Sequence, residues 1–107
     1  MELIQYQIVL VNLNPTLGIE IKKTRPCVII SPDEMNRHLN TIIVAPMTTS
    51  SKRYPTRVKV KHESKTGWIV LDQIRTIDKQ RIIKVLGQLS QSETRIIKAV
   101  IKEIFVD

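Results

Sequence analysis

One short segment of the sequence concentrates side chains that can act on a phosphate. Residues 18–26 hold an acid, Glu20, together with the cations Lys22, Lys23 and Arg25. A guanidinium offers forked donors that match phosphate oxygens, and a carboxylate can take part in proton transfer. Because binding and catalytic groups concentrate in loops held by rigid strands, this segment is a candidate site. A solvated charged loop is the alternative interpretation.

Several other kinds of site are missing from the sequence. It has no glycine-rich phosphate loop and no Cys/His cluster with metal-ligand spacing. Cys27, the lone cysteine, lies in an apolar run and is predicted to be a small buried side chain. His38 and His62 are each isolated among polar residues, which favours surface positions over an acid–base pair. Any reaction is therefore expected to use Arg, Glu, Asp, Thr and Lys, with no metal or other cofactor.

The charge favours an anionic partner such as nucleic acid. The chain carries 17 Lys and Arg against 10 Asp and Glu, a net charge of +7, and residues 35–62 contain no acid. A basic surface that is merely solvated fits the net charge equally well. The lone cysteine suits a reducing cytoplasm, and no signal peptide is recognised. No apolar stretch approaches membrane-spanning length, so no membrane partner is expected.

The elements that must position these residues are short strands joined by turn-rich links. The 107 residues fit one domain, residues 1–107. Ser31-Pro32-Asp33 is typical of the cap and first turn of a short helix through Arg37. Residues 14–26 are predicted to be a loop, and Gly87 is predicted to mark a bulge or kink. Apolar and β-branched runs predict strands over residues 8–13, 27–31, 41–47, 56–61, 67–72 and 82–89.

The chain ends in the clearest predicted helix. Ser90 and Glu93 have the spacing of a capping box, with Ser90 at the N-cap. One apolar stripe at helical spacing follows, made of Ile96, Ile97, Val100, Ile101, Ile104 and Phe105. Short strands followed by one terminal helix predict an α+β chain that is mainly β, a small antiparallel sheet or barrel with a helix on its face.

Several short motifs follow one another in an order typical of one protein family. The first is Val11-Asn12-Leu13-Asn14-Pro15-Thr16, followed by Gly18, Glu20, Arg25 and Pro26. The later motifs are Val28-Ile29-Ile30-Ser31-Pro32, Ala45-Pro46-Met47-Thr48-Thr49-Ser50, Tyr54-Pro55-Thr56 and Leu71-Asp72-Gln73-Ile74-Arg75-Thr76-Ile77-Asp78-Lys79. In this order they resemble the MazF/PemK/Kid ribonuclease toxins over nearly the whole chain. Gln5-Tyr6-Gln7 departs from the family pattern, as do Ile19 and Ile21 beside Glu20.

This resemblance implies a Src-homology-3-like barrel that forms a homodimer and cuts single-stranded mRNA at chosen sequences. It also implies a MazE-like antitoxin whose disordered tail occupies the RNA groove. Catalysis would fall to Arg25 and Thr48, with Glu20 supporting the site. Asp72 and Gln73 fall where the family places further site or recognition residues.

The flanking cations are predicted to contact the RNA backbone. Lys22, Lys23 and Arg53 flank the implied site and are predicted to contact phosphates. The alternation over residues 56–61 places Arg57, Lys59 and Lys61 on one strand face. For that basic row, a path for the RNA backbone and a solvated face are equally open interpretations.

RNA supplies its own nucleophile, the 2′-hydroxyl, so the implied reaction needs no activated Ser or Cys and no metal. It would leave a 2′,3′-cyclic phosphate and a 5′-hydroxyl. Two other functions remain open for the same fold. One is a non-enzymatic gyrase poison of the CcdB type, and the other is a catalytically silent nucleic-acid-binding barrel.

Overall fold

The structure, a computed structural model, describes residues 2–13 and 24–106, so the predicted loop of residues 14–23 lies outside the described residues. The strands are β1 (Gln7–Asn12), β2 (Thr24–Ile29), β3 (Thr41–Thr48), β4 (Arg57–His62), β5 (Lys65–Val70), β6 (Arg75–Asp78) and β7 (Ile82–Gln88). The helices are α1 (Asp33–His38) and α2 (Gln91–Phe105), and 3₁₀ turns span Leu71–Gln73 and Lys79–Arg81. Among the described residues, no helix is both long enough and apolar enough to cross a membrane.

The strands form one antiparallel sheet in the order β4-β5-β3-β2-β1-β7, and β6 pairs with the first half of β3. Apolar side chains from both ends of this order meet in one cluster, which includes Val60 of β4 and Ile97 of α2 and against which Leu86 of β7 packs. The sheet must therefore curl around that cluster, and α2 closes its open side. This half-barrel with a C-terminal helix confirms the predicted mainly β barrel.

The two outermost strands of the sheet, β4 and β7, come into contact at His62 and Gly87. A Cβ atom added to Gly87 of β7 would lie 2.7 Å from Cε1 of His62 at the end of β4. Only a residue without a side chain allows so close an approach. The bulge predicted at Gly87 is confirmed, because the register between β1 and β7 shifts between Ile8↔Gly87 and Val9↔Val85.

Both faces of the central strands are buried. Ile8, Val28 and Met47 belong to the cluster inside the curl, whereas Cys27 and Val44 belong to a second cluster on the opposite face. Side chains on successive residues of a strand point to opposite faces, so each central strand contributes to both clusters. A sheet packed in this way holds the side chains at its strand ends rigidly.

Helix α2 begins as the sequence predicts, but buries less of its apolar stripe. The Ser90 hydroxyl accepts a hydrogen bond from the Glu93 N–H at 3.2 Å, and Glu93 Oε1 accepts one from the Ser90 N–H at 3.0 Å. Glu93 Oε2 also accepts from the Lys61 N–H at 2.9 Å, which ties the helix to β4. Ile96 and Phe105 are 52% and 61% exposed, so these two members of the predicted stripe are not buried.

The start of β2 and the region after β5 differ most from the sequence prediction. Strand β2 begins at Thr24 rather than at residue 27, because Pro26 pairs with β1 while the ladder to β3 starts only at Cys27. A proline fits there because no ladder to β3 is recorded at its position. Residues 71–72 are not strand, because the chain turns in the 3₁₀ segment Leu71–Gln73 to reach β6, a strand that the sequence prediction missed.

The cap predicted for α1 is also wrong. Pro32 occupies the N-cap position, with no side-chain capping hydrogen bond. The Ser31 side chain is buried and instead accepts a hydrogen bond from the Ile43 N–H at 3.0 Å. The serine therefore fastens the start of α1 to β3.

Candidate active site

Arg25 and Thr48 come together although they are far apart in the chain. Strands β2 and β3 pair at Cys27↔Pro46, and extending this antiparallel register by two residues places Arg25 opposite Thr48. Alternate residues of a strand share a face, so Arg25 lies on the same side as Cys27, and Thr48 on the same side as Pro46. All four line one cavity of about 420 Å³.

This first cavity is strongly cationic. Arg57 and Arg75 line it together with Arg25, and no acid is among the described residues that do so. Gln73 and Ser50 add polar groups to the wall. Guanidinium groups that converge around a hollow form a site for a phosphate.

The Thr48 side chain is held in place by the turn that follows it. Its hydroxyl donates to the Ser50 carbonyl at 3.2 Å, and its oxygen is 3.3 Å from the Ser50 N–H. Such local bonds are typical of Ser and Thr at turns. The oxygen is thereby fixed at the rim of the cavity, and its one hydrogen must turn away from the Ser50 carbonyl to donate to a bound ligand.

A second cavity of about 320 Å³ shares Arg25 and Thr48 with the first. Ile8 and Leu86 belong to its apolar lining, and His62 lines it from the end of β4. Arg25, Met47 and Thr48 therefore line both cavities. A phosphate bound between the Arg25 and Thr48 side chains has room for a nucleotide on either side.

Arg57 is fixed by an ion pair with Asp72. The Nε–Oδ1 distance is 3.3 Å, and Oδ1 also accepts from the Thr56 hydroxyl at 2.9 Å. The hydrogen bond from Arg57 holds the pKa of Asp72 below its usual range, with a smaller contribution from Thr56. Asp72 therefore stays ionised at neutral pH.

Cys27 is fully buried, as the sequence predicts. Burial raises the pKa of its thiol to about 12, although Arg25 and Arg75 act to lower it. The thiol is therefore protonated and poorly nucleophilic at neutral pH. Among the described residues, no three His, Cys, Asp or Glu side chains lie close enough together to hold a metal ion.

The histidines differ from each other. His38 is exposed, as predicted. His62 is not a free surface residue, because only 27% of its side chain is exposed. Its ring packs against Gly87 and lines the second cavity, because the curl of the sheet brings β4 against β7.

The structure brings together only part of the set of site residues predicted from the sequence. Arg25, Thr48 and Gln73 line the first cavity, whereas Asp72 and the exposed Arg53 are not among the residues that line either one. Glu20, Lys22 and Lys23 lie outside the described residues.

Sequence reasoning did not place two arginines in the site. The sequence placed Arg57 in a basic row that could either follow the RNA backbone or be a solvated face. The alternation of Arg57 with the buried Val58 was the available sign of which face it occupies. Arg75 lies in the motif of residues 71–79, only two positions after Gln73. Neither position shows from spacing alone that the side chain reaches a cavity shared with Arg25.

Comparison with known proteins identifies related chains. Residues 4–105 match the family model described as PemK-like, MazF-like toxin of type II toxin-antitoxin system. The Endoribonuclease MazF of Staphylococcus epidermidis is 38% identical over 90 residues, which cover 78% of this chain and 75% of that protein.

Two solved structures share the fold. A MazE–MazF structure from Deinococcus radiodurans has a TM-score of 0.85 at 21% identity, and the match covers 99% of this chain and 97% of that chain. An endoribonuclease in complex with its cognate antitoxin from a mycobacterial species has a TM-score of 0.80 at 22% identity, with 94% and 91% covered.

Proposed function

The chain belongs to the family of PemK-like, MazF-like toxins of type II toxin–antitoxin systems and is an endoribonuclease toxin; we propose that it cuts single-stranded RNA at a phosphate held between Arg25 and Thr48. The observation that carries this proposal is the placement of these two side chains in the lining of both cavities. RNA entering one cavity and leaving by the other would pass its backbone between them.

The reaction uses a nucleophile that the substrate carries. The 2′-oxygen attacks the adjacent phosphorus, a new 2′-O–P bond forms and the P–O5′ bond breaks. The products are a 2′,3′-cyclic phosphate and a 5′-hydroxyl, with no metal required. The site must remove the 2′-hydroxyl proton, stabilise the added negative charge and supply a proton to the leaving 5′-oxygen.

Arg25 suits the second of these tasks. Its guanidinium donates in a fork that fits two phosphoryl oxygens, and the hydroxyl of Thr48 can donate to the same group. Donors fixed in advance lower the barrier because they need no rearrangement as charge develops. The strand end that holds Arg25 provides this preorganisation, whereas the Thr48 hydroxyl must first turn from the Ser50 carbonyl.

We assign removal of the 2′-hydroxyl proton to Glu20 and delivery of a proton to the 5′-oxygen to Arg25. A guanidinium holds its proton firmly and is a poor base, which leaves the carboxylate as the better acceptor. Glu20 lies outside the described residues, so its role rests on sequence position. Asp72 is a weaker candidate for the base because its carboxylate is occupied by Arg57 and Thr56.

The cationic wall would track the RNA backbone. Arg57 and Arg75 stand beside Arg25 in the first cavity, and Gln73 offers an amide that can read a base edge. Lys22, Lys23 and Arg53 are proposed as further phosphate contacts. Affinity for RNA should therefore fall as salt rises.

The proposed assembly is a cytoplasmic homodimer controlled by an antitoxin. A single small domain buries a limited share of its apolar surface, and a second copy would bury more. The net charge of +7 suits an acidic, partly disordered partner of the MazE kind. Sedimentation of the pure protein tests the dimer, and a chain that stays monomeric at micromolar concentration would contradict it.

The test of the activity is cleavage of a long mixed-sequence RNA by pure protein in EDTA. We expect cuts at one short sequence, with new 5′ ends that polynucleotide kinase labels without prior dephosphorylation. Intact RNA with trapped gyrase would instead indicate a gyrase poison. Binding without either effect would indicate a silent nucleic-acid-binding barrel.

Matched variants test the two residues. Arg25→Ala and Thr48→Val should each lower the cleavage rate by about 10²- to 10³-fold, the usual cost of one such donor. Arg95→Ala on α2 and Thr76→Val on β6 change the same residue types at exposed positions outside the cavities and should cut at the normal rate. Near-normal cleavage by Arg25→Ala would overturn the assignment.

A further inference from the structure

We propose that Arg57 is a second phosphate-binding residue of this site and that Asp72 is its positioning residue, acting on RNA only through Arg57. This inference rests on the proposed function and names a residue pair that adds to Arg25 and Thr48. It also gives Asp72 a different role from the direct RNA contact predicted from the sequence.

The hydrogen bonds of Arg57 leave part of its guanidinium available. Nε and Nη2 donate to the two carboxylate oxygens of Asp72 at 3.3 and 3.4 Å, and Nη1 donates to the Ser51 hydroxyl at 2.9 Å. A guanidinium has five N–H donors, and these bonds use three of them. Counting only bonds to the described residues, two donors remain, one on each Nη atom, for a ligand in the cavity.

The orientation of Arg57 is fixed from several directions. Its Cζ lies 4.8 Å from the centroid of the Tyr54 ring, and only 22% of its side chain is exposed. Ser51 and Tyr54 come from the loop before β4, while Asp72 comes from the 3₁₀ turn after β5. The guanidinium is therefore held before RNA arrives, which reduces the entropy lost on binding.

Asp72 is poorly suited to contact RNA itself. Both of its oxygens accept from Arg57, and Oδ1 also accepts from Thr56. An ionised carboxylate repels a phosphate, and Asp72 is not among the residues that line the cavity. Arg57 does line it, together with Arg25 and Thr48. Charge and geometry both make the arginine the contact and the aspartate its support.

A double-mutant cycle tests this division of roles. We expect Arg57→Gln to lower kcat/KM by about 10²-fold. Asp72→Asn keeps the shape but loses the charge, and should cost roughly tenfold, because small misplacements of a contact group reduce the rate. Since Asp72 acts through Arg57, the double variant should be no slower than Arg57→Gln alone. Arg57→Lys should recover only part of the rate, because an ammonium lacks the fork.

Binding to uncleavable RNA supplies an independent readout. With fully 2′-O-methylated RNA, the slope of log affinity against log salt should fall by about 0.7 in Arg57→Gln, the value for one lost phosphate contact on a single strand. Asp72→Asn leaves the arginine charge in place and should keep the slope. Arg95→Gln on α2 is the matched control for loss of one positive charge, and should leave the salt slope unchanged.

The possible results distinguish a direct role of Asp72 from a role through Arg57. A further tenfold loss from Asp72→Asn in the Arg57→Gln background would give Asp72 a direct role and overturn the inference. Normal cleavage by Arg57→Gln would do the same. If the unmodified chain cuts no RNA, the proposed function fails, and the salt slope on uncleavable RNA still decides whether Arg57 binds a phosphate. A single ion pair that is partly open to solvent adds little to stability, so circular dichroism should show all variants folded.

Discussion

Replacing Gly87 by alanine should destabilise the protein although alanine is the better residue in most strands. The new Cβ would lie 2.7 Å from Cε1 of His62, so the ring or a strand must move. Overpacking of this kind costs about 1–3 kcal/mol, whereas the less flexible unfolded chain returns about 0.4–1 kcal/mol. These ranges leave a net loss of about 0–2.6 kcal/mol, centred on about 1 kcal/mol, measured by urea unfolding at one fixed protein concentration.

Two controls isolate the clash with His62. Gly67→Ala on β5 meets no atom of another residue closer than 3.6 Å, so its stability should be unchanged or slightly raised. In a His62→Ala background the obstructing ring is gone, and Gly87→Ala should become neutral or mildly stabilising. An equal cost of Gly87→Ala with and without the ring would show that the contact between β4 and β7 is not what requires the glycine.

Three further predictions concern the helix cap, its titration and the thiol. Ser90→Ala removes the cap of α2 and should cost about 1 kcal/mol, seen as a fall of roughly 4–8 °C in Tm; an unchanged Tm would contradict the capping bond. Burial raises the pKa of Glu93, but hydrogen bonds from the Lys61 N–H, the Ser90 N–H and the Ser90 hydroxyl outweigh it, so the pKa lies below its ordinary value of 4.5. The stabilising effect of the ionised Glu93 is therefore complete above pH 4.5 and is lost as pH falls through the folded-state pKa. The difference in stability between the wild type and Glu93→Gln should shrink in acid. A difference independent of pH would refute this. Cys27, with a pKa of about 12, should resist iodoacetamide at pH 8 until urea unfolds the chain, and rapid labelling of the folded protein would show that it is not buried.

Much of the fold could be predicted because local signals decided it. The capping box of Ser90 and Glu93 has a fixed spacing, and the alternation that buries Val58 and Val60 is visible in the sequence. The start of β2 could not be predicted, because a proline and a charged run are typical of a loop. Pairing with β1 overrides that local preference, and pairing is a long-range property.

Some residues of the candidate site could also be predicted from the sequence, whereas others depend on long-range packing. Arg25 and Thr48 could be named from the family motifs, since the chemistry needs a guanidinium and a hydroxyl. The pairing of Arg57 with Asp72 depends on β4 and the turn after β5 lying side by side, and no spacing in the sequence shows this. The curl of the sheet also brings His62 to Gly87, so a histidine predicted to be at the surface became part of the closure.

The most direct test of the account is a structure of this protein with a fully 2′-O-methylated RNA that contains the cleaved sequence. The account predicts one phosphate with the Arg25 guanidinium and the Thr48 hydroxyl both within about 2.7–3.2 Å of its oxygens, and with the flanking nucleotides in the two cavities. RNA bound with these side chains on different phosphates, or on a surface away from both cavities, would contradict it.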